Sequence, residues 1–401
     1  MALIVKKFGG SSLANAECLK RVALTIAKAY SEGNSVVVVL SAQADTTDDL
    51  IQKAKEINDT PSKREMDVLL STGEQASAAL MAMTLDNMGL PAVSLTGWQI
   101  GMNTDSDYGS ARIKSVATER MKAELDRRRI VLVAGFQGVN KFDDITTIGR
   151  GGSDTTAVAV AVTLNADLCQ IYTDVEGVYT ADPRLVKDAR KLDEITYDEM
   201  IELASLGAQV LHSRSVEMAK RYGIEMEVLS SIVDRPGTKV KGVNKVEHTK
   251  ISGVAKDTSI GIISIVGVKD EPGVAFKVFR VIANAKKNID IILQSVNHNN
   301  LNDISFTVAA DDLDSVVEVL EKNKSVIGFT EIKTSGNVAK VSIVGAGMMS
   351  APGIAATMFE ALYDVKININ MIATSEIKIT VLVNENDADR AVTALHQKFF
   401  D

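Results

Sequence analysis

Leu3-Ile4-Val5-Lys6-Lys7-Phe8-Gly9-Gly10-Ser11-Ser12 runs from apolar residues through two lysines into a glycine pair and two hydroxyls. The apolar start reads as a strand, and the segment that follows, through Tyr30, as a helix. The glycine pair then stands between a strand end and a helix start. There the backbone can approach an anion closely, and the first N–H groups of the helix point at it. Lys7 adds a full positive charge. A Gly-Gly pair alone fits a tight turn equally well; with the lysine and both hydroxyls it points to phosphate.

The same alternation continues to about Val233. Ser35–Ser41, Ala92–Leu95, Ile130–Ala134, Leu168–Thr173 and Glu225–Leu229 read as strands, separated by helical stretches such as Ser62–Asn87 and Thr196–Leu206. That order predicts an α/β layer with a mainly parallel sheet, and the wholly apolar Val36–Leu40 suits a sheet covered on both faces. Asp234-Arg235-Pro236-Gly237-Thr238 is a turn cluster, and the polar stretch to Lys250 reads as a linker. Beyond it the chain repeats itself. Glu271-Pro272-Gly273-Val274-Ala275 returns 80 residues later as Ala351-Pro352-Gly353-Ile354-Ala355, and Asn288-Ile289-Asp290 returns as Asn368-Ile369-Asn370. Each copy reads strand, helix, strand, strand, helix, strand. The first copy is expected to close with a strand at Val326–Ile332, whereas the second stops at Phe400-Asp401 straight after its helix. Ile251–Ala255 is predicted to fill the open edge, so that the copies interleave. The expected domains are 1–245, then 260–333 and 334–401, with 249–258 supplying the last copy's remaining strand.

Composition bounds the function. The chain has 401 residues, 46% hydrophobic and 24% charged, with 44 basic against 52 acidic residues for a net charge of −8. An acidic, aromatic-poor chain is a poor nucleic-acid or anionic-membrane binder. Two cysteines, Cys18 and Cys169, exclude a disulfide framework, and the start lacks the features of a signal peptide. A cytoplasmic protein is expected, with neither nucleic acid nor membrane as partner.

Two more loops carry chemistry. Thr147-Ile148-Gly149-Arg150-Gly151-Gly152-Ser153-Asp154-Thr155-Thr156-Ala157 brings a second glycine-rich turn to a helix predicted over Val158–Leu164, with Arg150 suited to a bidentate carboxylate grip. Asp154 there also fits a plain helix N-cap. Tyr172-Thr173-Asp174-Val175-Glu176-Gly177-Val178-Tyr179-Thr180-Ala181-Asp182-Pro183-Arg184 leaves a strand end, where α/β sheets place ligands. Asp174 and Asp182 suit a nucleotide and its Mg²⁺, Arg184 a phosphate; a surface turn fits the same residues.

Together these motifs resemble the aspartate kinases of the amino acid kinase superfamily. KFGGSS, Leu70–Gln75 (LSTGEQ), GRGGSDTTA and YTDVEGVYTADPR match in order and spacing, and the Pro-Gly repeat resembles paired ACT regulatory domains. The resemblance spans essentially the whole chain. It implies an amino acid kinase-like, mainly parallel sheet sandwiched by helices, plus two ferredoxin-like (βαββαβ) ACT domains. It also implies transfer of the γ-phosphoryl of ATP to the side-chain carboxylate of L-aspartate, with Mg²⁺ held mainly by the ATP phosphates. That acceptor is already ionised at neutral pH, with a reference pKa of about 3.9, so no general base is needed. The resemblance makes Lys7 and Asp154 catalytic and gives Ser41, Thr47, Glu74, Arg150 and Ser153 to the substrate, Arg150 on its α-carboxylate and Glu74 on its α-ammonium. Lys7, Phe8, Gly9, Gly10, Ser11, Thr173, Asp174, Tyr179, Asp182, Arg184 and Gln209 fall to the nucleotide. The chain departs from the family where SAMGKTTD becomes Ser41-Ala42-Gln43-Ala44-Asp45-Thr46-Thr47-Asp48, and where a lysine becomes Gln209; a retuned KM for ATP is expected.

For the repeat, the resemblance implies amino-acid effectors, lysine and often threonine, and a homo-oligomer, dimer or tetramer, formed through the ACT domains. Ala355 stands where some relatives carry threonine. Candidate regulatory residues are Asp270, Pro272, Gly273, Val274, Ala275, Asn288, Asp290 and Gln294 in the first copy, and Ile354, Ala355, Asn368, Ile369, Thr374 and Ser375 in the second. The polar ones equally satisfy turns and sheet edges. Two other readings stay open: a superfamily kinase for another carboxylate or phosphate, and a non-catalytic amino-acid sensor. The ACT-like repeat speaks against the first, intact Lys7, Arg150 and Asp154 against the second.

Overall fold

The structure, a computed structural model, describes residues 1–207, 210–242, 250–296, 301–348 and 351–400. It divides into two units, Met1–Thr180 with Arg190–Glu247, and Ala181–Ala189 with His248–Asp401.

The first unit begins with β1 (Leu3–Phe8), α1 (Ala16–Ser31), β2 (Ser35–Leu40), α2 (Thr46–Ile57), α3 (Lys63–Asp86) and β3 (Ala92–Leu95). It continues with β4 (Asn103–Thr104), β5 (Ile113–Ser115), α4 (Glu119–Asp126), β6 (Ile130–Ala134), β7 (Gln137–Val139), β8 (Ile145–Thr147), α5 (Gly152–Leu164) and β9 (Leu168–Thr173). It closes with β10 (Glu194–Thr196), α6 (Tyr197–Ser205), α7 (Ser213–Tyr222), β11 (Met226–Ser230) and β12 (Thr238–Lys241). Local chemistry sets the helix ends. The Asn15 side chain accepts the Glu17 and Cys18 N–H groups to start α1, and Thr196 with Glu199 forms a capping box on α6. Between those ends, Leu19, Val22, Ala23 and Ile26 recur at helical spacing and are buried against the sheet. α5 is buried over almost its whole length, as its Val- and Ala-rich sequence permits.

The main sheet has the order β10-β12-β11-β9-β1-β2-β6-β3, parallel from β11 to β3. β12 runs antiparallel to β11, and β10 runs with β12. The chain leaves β1 for β2 on one side, yet β9 takes the other side of β1. This reversal makes the carboxyl end of β1 a topological switch point, where open α/β sheets form a crevice. Gly9 and Gly10 stand there. A small second sheet, β5-β4-β7-β8, carries the strand that leads into Gly149–Gly152.

The second unit holds β13 (Lys250–Lys269), α8 (Val274–Asn284), β14 (Ile292–Val296), β15 (Leu301–Ala309), α9 (Leu313–Lys322), α10 (Lys324–Ile327) and β16 (Glu331–Ala346). α11 (Ile354–Asp364), β17 (Met371–Thr374), β18 (Lys378–Asn384) and α12 (Ala388–Phe400) follow. One antiparallel sheet, β14-β15-β13-β16-β18-β17, spans both repeats because β13 and β16 are each long enough to serve both. The stretch Ile260–Lys269 of β13 pairs with β15, while Ile251–Ala255 pairs with Ser342–Gly345 of the second copy. The repeat is visible in the backbone itself. Gly273 and Gly353 start α8 and α11 at φ 94° and 101°, and Lys286 and Lys366 adopt φ 56° and 57° at the same offset.

Three expectations change. Val326 and Ile327 lie in the short helix α10, and the closing strand starts only at Glu331, because Gly328 at φ 78° ends the helix first. α5 starts at Gly152, six residues before the predicted Val158, so Ser153 and Asp154 lie in its first turn. Ala181–Ala189 packs with the second unit, where Ala181 and Val186 join the apolar core of the second repeat.

Candidate active site

Along β1 successive side chains leave on opposite faces, and the two adjacent lysines meet different fates. Lys6 is buried, donating to Gln170 Oε1 at 2.6 Å and Tyr172 Oη at 2.9 Å. Burial outweighs the neighbouring Glu227 charge and lowers its pKa to about 8. Lys7 points the other way, and its Nζ lies 2.7 Å from Asp154 Oδ1 in the first turn of α5. Gly151, at φ 69°, is the N-cap of that helix, so Asp154 is not; its carboxylate serves Lys7 and complements the positive helix end. Phe8 is fully buried and stacks on Tyr172 with centroids 4.5 Å apart, which leaves only its backbone for a ligand.

The loop after β2 forms the next wall. A Cβ on Gly10 would lie 2.8 Å from the Ala42 carbonyl oxygen, and one on Gly73 the same distance from Ala42 Cβ. Both glycines are therefore fixed by close approach. Glu74 follows Gly73 on α3, only 4% exposed. Its Oε1 accepts the Ala42 N–H at 3.2 Å, and its Oε2 is buried without a partner. Desolvation pushes its pKa up to about 7. Ser41, just after β2, and Thr47, in the first turn of α2, are half-buried at the two ends of this loop. Ala44, where the family often has glycine, holds φ 34°.

Ser153 is buried, its Oγ 2.8 Å from where a Cβ on Gly135 would sit at the end of β6. Arg150 is exposed, and among the described residues no carboxylate pairs with it. Ser11 is exposed, while Ser12 is buried and donates to Ser231 Oγ at 2.7 Å. At the end of β9, Thr173 Oγ1 donates to Asp174 Oδ1 at 3.0 Å, and half-buried Tyr179 bridges to Lys191. The structure thus brings Lys7, Gly9, Gly10, Glu74, Ser153 and Asp154 together around the carboxyl ends of β1, β2 and β6. Asp182 and Arg184 belong to the second unit, where the Arg184 guanidinium grips the Asp182 carboxylate at 2.8 to 3.2 Å. Gln209 lies outside the described residues. Among the described residues no three His, Cys, Asp or Glu side chains group as a metal site requires.

Sequence reading passed over three neighbours of this site. The His212 ring occupies the space a Cβ on Gly151 would need, at 2.3 Å. Asp67 and Arg214 hold the backbone on which Arg150 stands. Only the position of Asp67, three residues ahead of Leu70–Gln75 on the same helix, hinted at its use.

In the second unit, the candidate regulatory residues fall mainly on turns and the two edge strands. Asp270, Pro272, Gly273, Asn288, Gln294, Asn368, Thr374 and Ser375 are exposed; Ala275, Ile354, Ala355 and Ile369 are half-buried. Val274 is a core residue, so its side chain faces away from any ligand at the turn. Asp270 Oδ1 accepts from Asn302 at 2.9 Å, and Asp290 Oδ2 accepts from Lys340 at 2.5 Å.

Comparison with known proteins agrees with this division. Residues 2–230 match the amino acid kinase family, and residues 263–323 and 341–399 match an ACT domain. The aspartokinase of Mycolicibacterium smegmatis is 49% identical across all of this chain and 96% of its own length. The E. coli aspartokinase III solved with aspartate and ADP, in its R-state, is 26% identical over the whole of both chains with a TM-score of 0.86. The same enzyme solved with lysine and aspartate, in its T-state, gives a TM-score of 0.76. The chain belongs to the aspartokinase family: it is an enzyme, an amino acid kinase that carries paired ACT domains.

Proposed function

We propose that this chain transfers the γ-phosphoryl group of ATP to the side-chain carboxylate of L-aspartate, giving 4-phospho-L-aspartate and ADP. One observation carries the reading: the Lys7–Asp154 pair stands beside the Gly9-Gly10 turn, and the Glu74 carboxylate keeps an unpartnered buried oxygen behind it. The aspartate carboxylate oxygen attacks the γ-phosphorus as the bond to the ADP oxygen breaks. Both reactants are anions, so the barrier is mutual repulsion, and fixed positive charge is the remedy. Lys7 supplies that charge, aligned by Asp154 in the first turn of α5 and standing beside the Gly9-Gly10 turn. Mg²⁺ on the nucleotide phosphates would add charge neutralisation. Arg150 and Glu74 take the α-carboxylate and α-ammonium, Ser41, Thr47 and Ser153 lie around the acceptor, and Thr173, Asp174 and Tyr179 serve the nucleotide.

Aspartate and ADP in one structure of a solved relative, and lysine with aspartate in a second structure of the same enzyme, support this assignment and an inhibitory lysine. We place the effector at the Pro-Gly turns and edge strands of the ACT repeats, and the reaction at the head of lysine, threonine and methionine synthesis, in the cytoplasm. The exposed apolar residues Ile292 and Leu293 on β14 and Ile372 on β17 suit a homo-oligomer joined through those edges. A hydroxamate-trapping assay with ATP, Mg²⁺ and aspartate, with and without millimolar lysine, tests the whole. Lys7→Ala should lose about a hundredfold or more in kcat. Near-parental turnover by that variant would overturn the electrostatic role.

A further inference from the structure

Gly149-Arg150-Gly151 is a short arm between β8 and α5 whose only long side chain is an exposed arginine. Two charged side chains from different helices hold the backbone just before it. Asp67, on α3, is 1% exposed. Its Oδ2 accepts the Gly109 N–H at 3.0 Å and the Thr147 N–H at 2.9 Å, and its Oδ1 accepts the Thr147 hydroxyl at 2.7 Å. Arg214, in the first turn of α7, donates Nη1 to the Ile148 carbonyl at 2.8 Å and Nη2 to the Ala111 carbonyl at 3.2 Å. The two segments so held are also tied to each other, since the Ala111 N–H donates to the Thr147 carbonyl at 2.9 Å. Gly149 at φ 82° presses on the Gly109 carbonyl, where a Cβ would come within 3.0 Å, and the His212 ring blocks the far side at Gly151. Ala111, Thr147 and Ile148 are buried.

We propose that Asp67 and Arg214 are positioning residues for the reaction: they clamp segments 109–111 and 147–148 so that Arg150 presents its guanidinium to the substrate carboxylate in one fixed place. Stability alone does not call for this pair. Apolar packing of similar volume commonly matches a buried charge such as that of Asp67 in stability, whereas directional hydrogen bonds like those of Asp67 and half-buried Arg214 fix a backbone in place. The fork of Arg214 reaches two carbonyls on two segments, and the two carboxylate oxygens of Asp67 reach three donors on the same two segments. Each side chain therefore measures the separation of the segments as well as joining them. An error of about 1 Å in a substrate-holding group can cost on the order of a hundredfold in rate.

This inference rests on the reading of Arg150 as the aspartate clamp, and the test separates the two. Steady-state constants for aspartate and ATP are measured on the full chain for Arg214→Gln, Thr147→Val, Arg150→Ala and the Arg150→Ala/Arg214→Gln double variant. Arg214→Gln should raise KM for aspartate by on the order of tenfold while KM for ATP stays within roughly twofold. The double variant should be no worse for aspartate than Arg150→Ala alone, because the clamp acts only through that arginine. Thr147→Val removes a single hydroxyl bond and carries the test if Arg214→Gln does not fold; it should raise the same KM several-fold. A lower melting temperature with an unchanged KM for aspartate in both single variants overturns the clamp, as does full additivity in the double. If Arg150→Ala itself leaves KM for aspartate untouched, the assignment of Arg150 fails, and the clamp loses its purpose with it.

Discussion

At pH 8, replacing Glu74 by glutamine should stabilise the protein and weaken its hold on aspartate, with the stability effect following one titration. The carboxyl is buried, accepts one N–H from Ala42 and leaves its second oxygen unpartnered. Burial moves its pKa from 4.5 to about 7. A folded-state pKa above the unfolded one means that the folded chain binds the extra proton between those values. Stability therefore falls as pH rises from 4.5 through 7, and at about 1.4 kcal/mol per pKa unit the accumulated loss is on the order of 3 kcal/mol. The variant escapes this loss but leaves a buried amide N–H short of an acceptor, a constant cost of about 1–2 kcal/mol. The variant-minus-parent difference should thus grow by about 2 kcal/mol between pH 5 and pH 8. That is roughly 4–8 °C in melting temperature for a unit of this size. In assays, kcat/KM for aspartate in the parent should climb with pH to a plateau above about 7, since that constant reports the free enzyme. The variant should have a raised KM for aspartate and a flat profile, with KM for ATP unchanged. A stability difference that is the same at pH 5 and pH 8, or a parental profile in the variant, would refute an ionisable Glu74 held ready for the ammonium.

Ala44→Gly should gain up to about 1 kcal/mol in urea unfolding, because φ 34° strains an alanine by more than the glycine loses in chain entropy. Ala54→Gly inside α2 should instead lose about 1 kcal/mol; equal signs at the two positions would exclude strain at Ala44. Charging both edge strands of the second unit, by Ile292→Asp with Ile372→Asp, should shift sedimentation toward the monomer at constant melting temperature. Unchanged assembly would move the subunit contact away from those edges.

How far the sequence could be read depended on whether a signal was periodic or relational. The alternation of apolar strands with helices is periodic, and so is the 80-residue repeat, whose matching left-handed lysines at 286 and 366 show how closely the two halves fold alike. The glycine pairs are legible for a similar reason: only glycine tolerates the approach of Gly10 to the Ala42 carbonyl, so the residue type records the geometry. Boundaries were harder. α5 starts six residues early because its first turn is made of Ser, Asp and Thr, whose propensities are poor and whose helical state depends on the sheet packed against it. Ala181–Ala189 continues a motif that reads as one loop, yet its apolar side chains find their core in the second unit. Composition contains no trace of that choice.

Relational signals between single side chains were the hardest to read, and the two neighbouring lysines show why. Lys6 and Lys7 are the same residue type one position apart, and the sheet sends one to each face. On one face Lys6 meets Tyr172 and Gln170 with little water, and loses much of its hold on the proton; on the other Lys7 meets a carboxylate at a helix start. The same split governs the acids of α3. Asp67 and Glu74 are seven residues apart and so nearly on one face, both buried, yet Asp67 spends its oxygens on three backbone and hydroxyl donors while Glu74 keeps one in reserve. A satisfied buried carboxylate fixes structure; an unsatisfied one is costly unless a ligand completes it. The distinction between scaffold and site in this fold is therefore a count of hydrogen-bond partners, a quantity set by residues far away in sequence. On that count the proposed ligand role falls to Glu74, and Asp67 to the proposed clamp on the arm that carries Arg150.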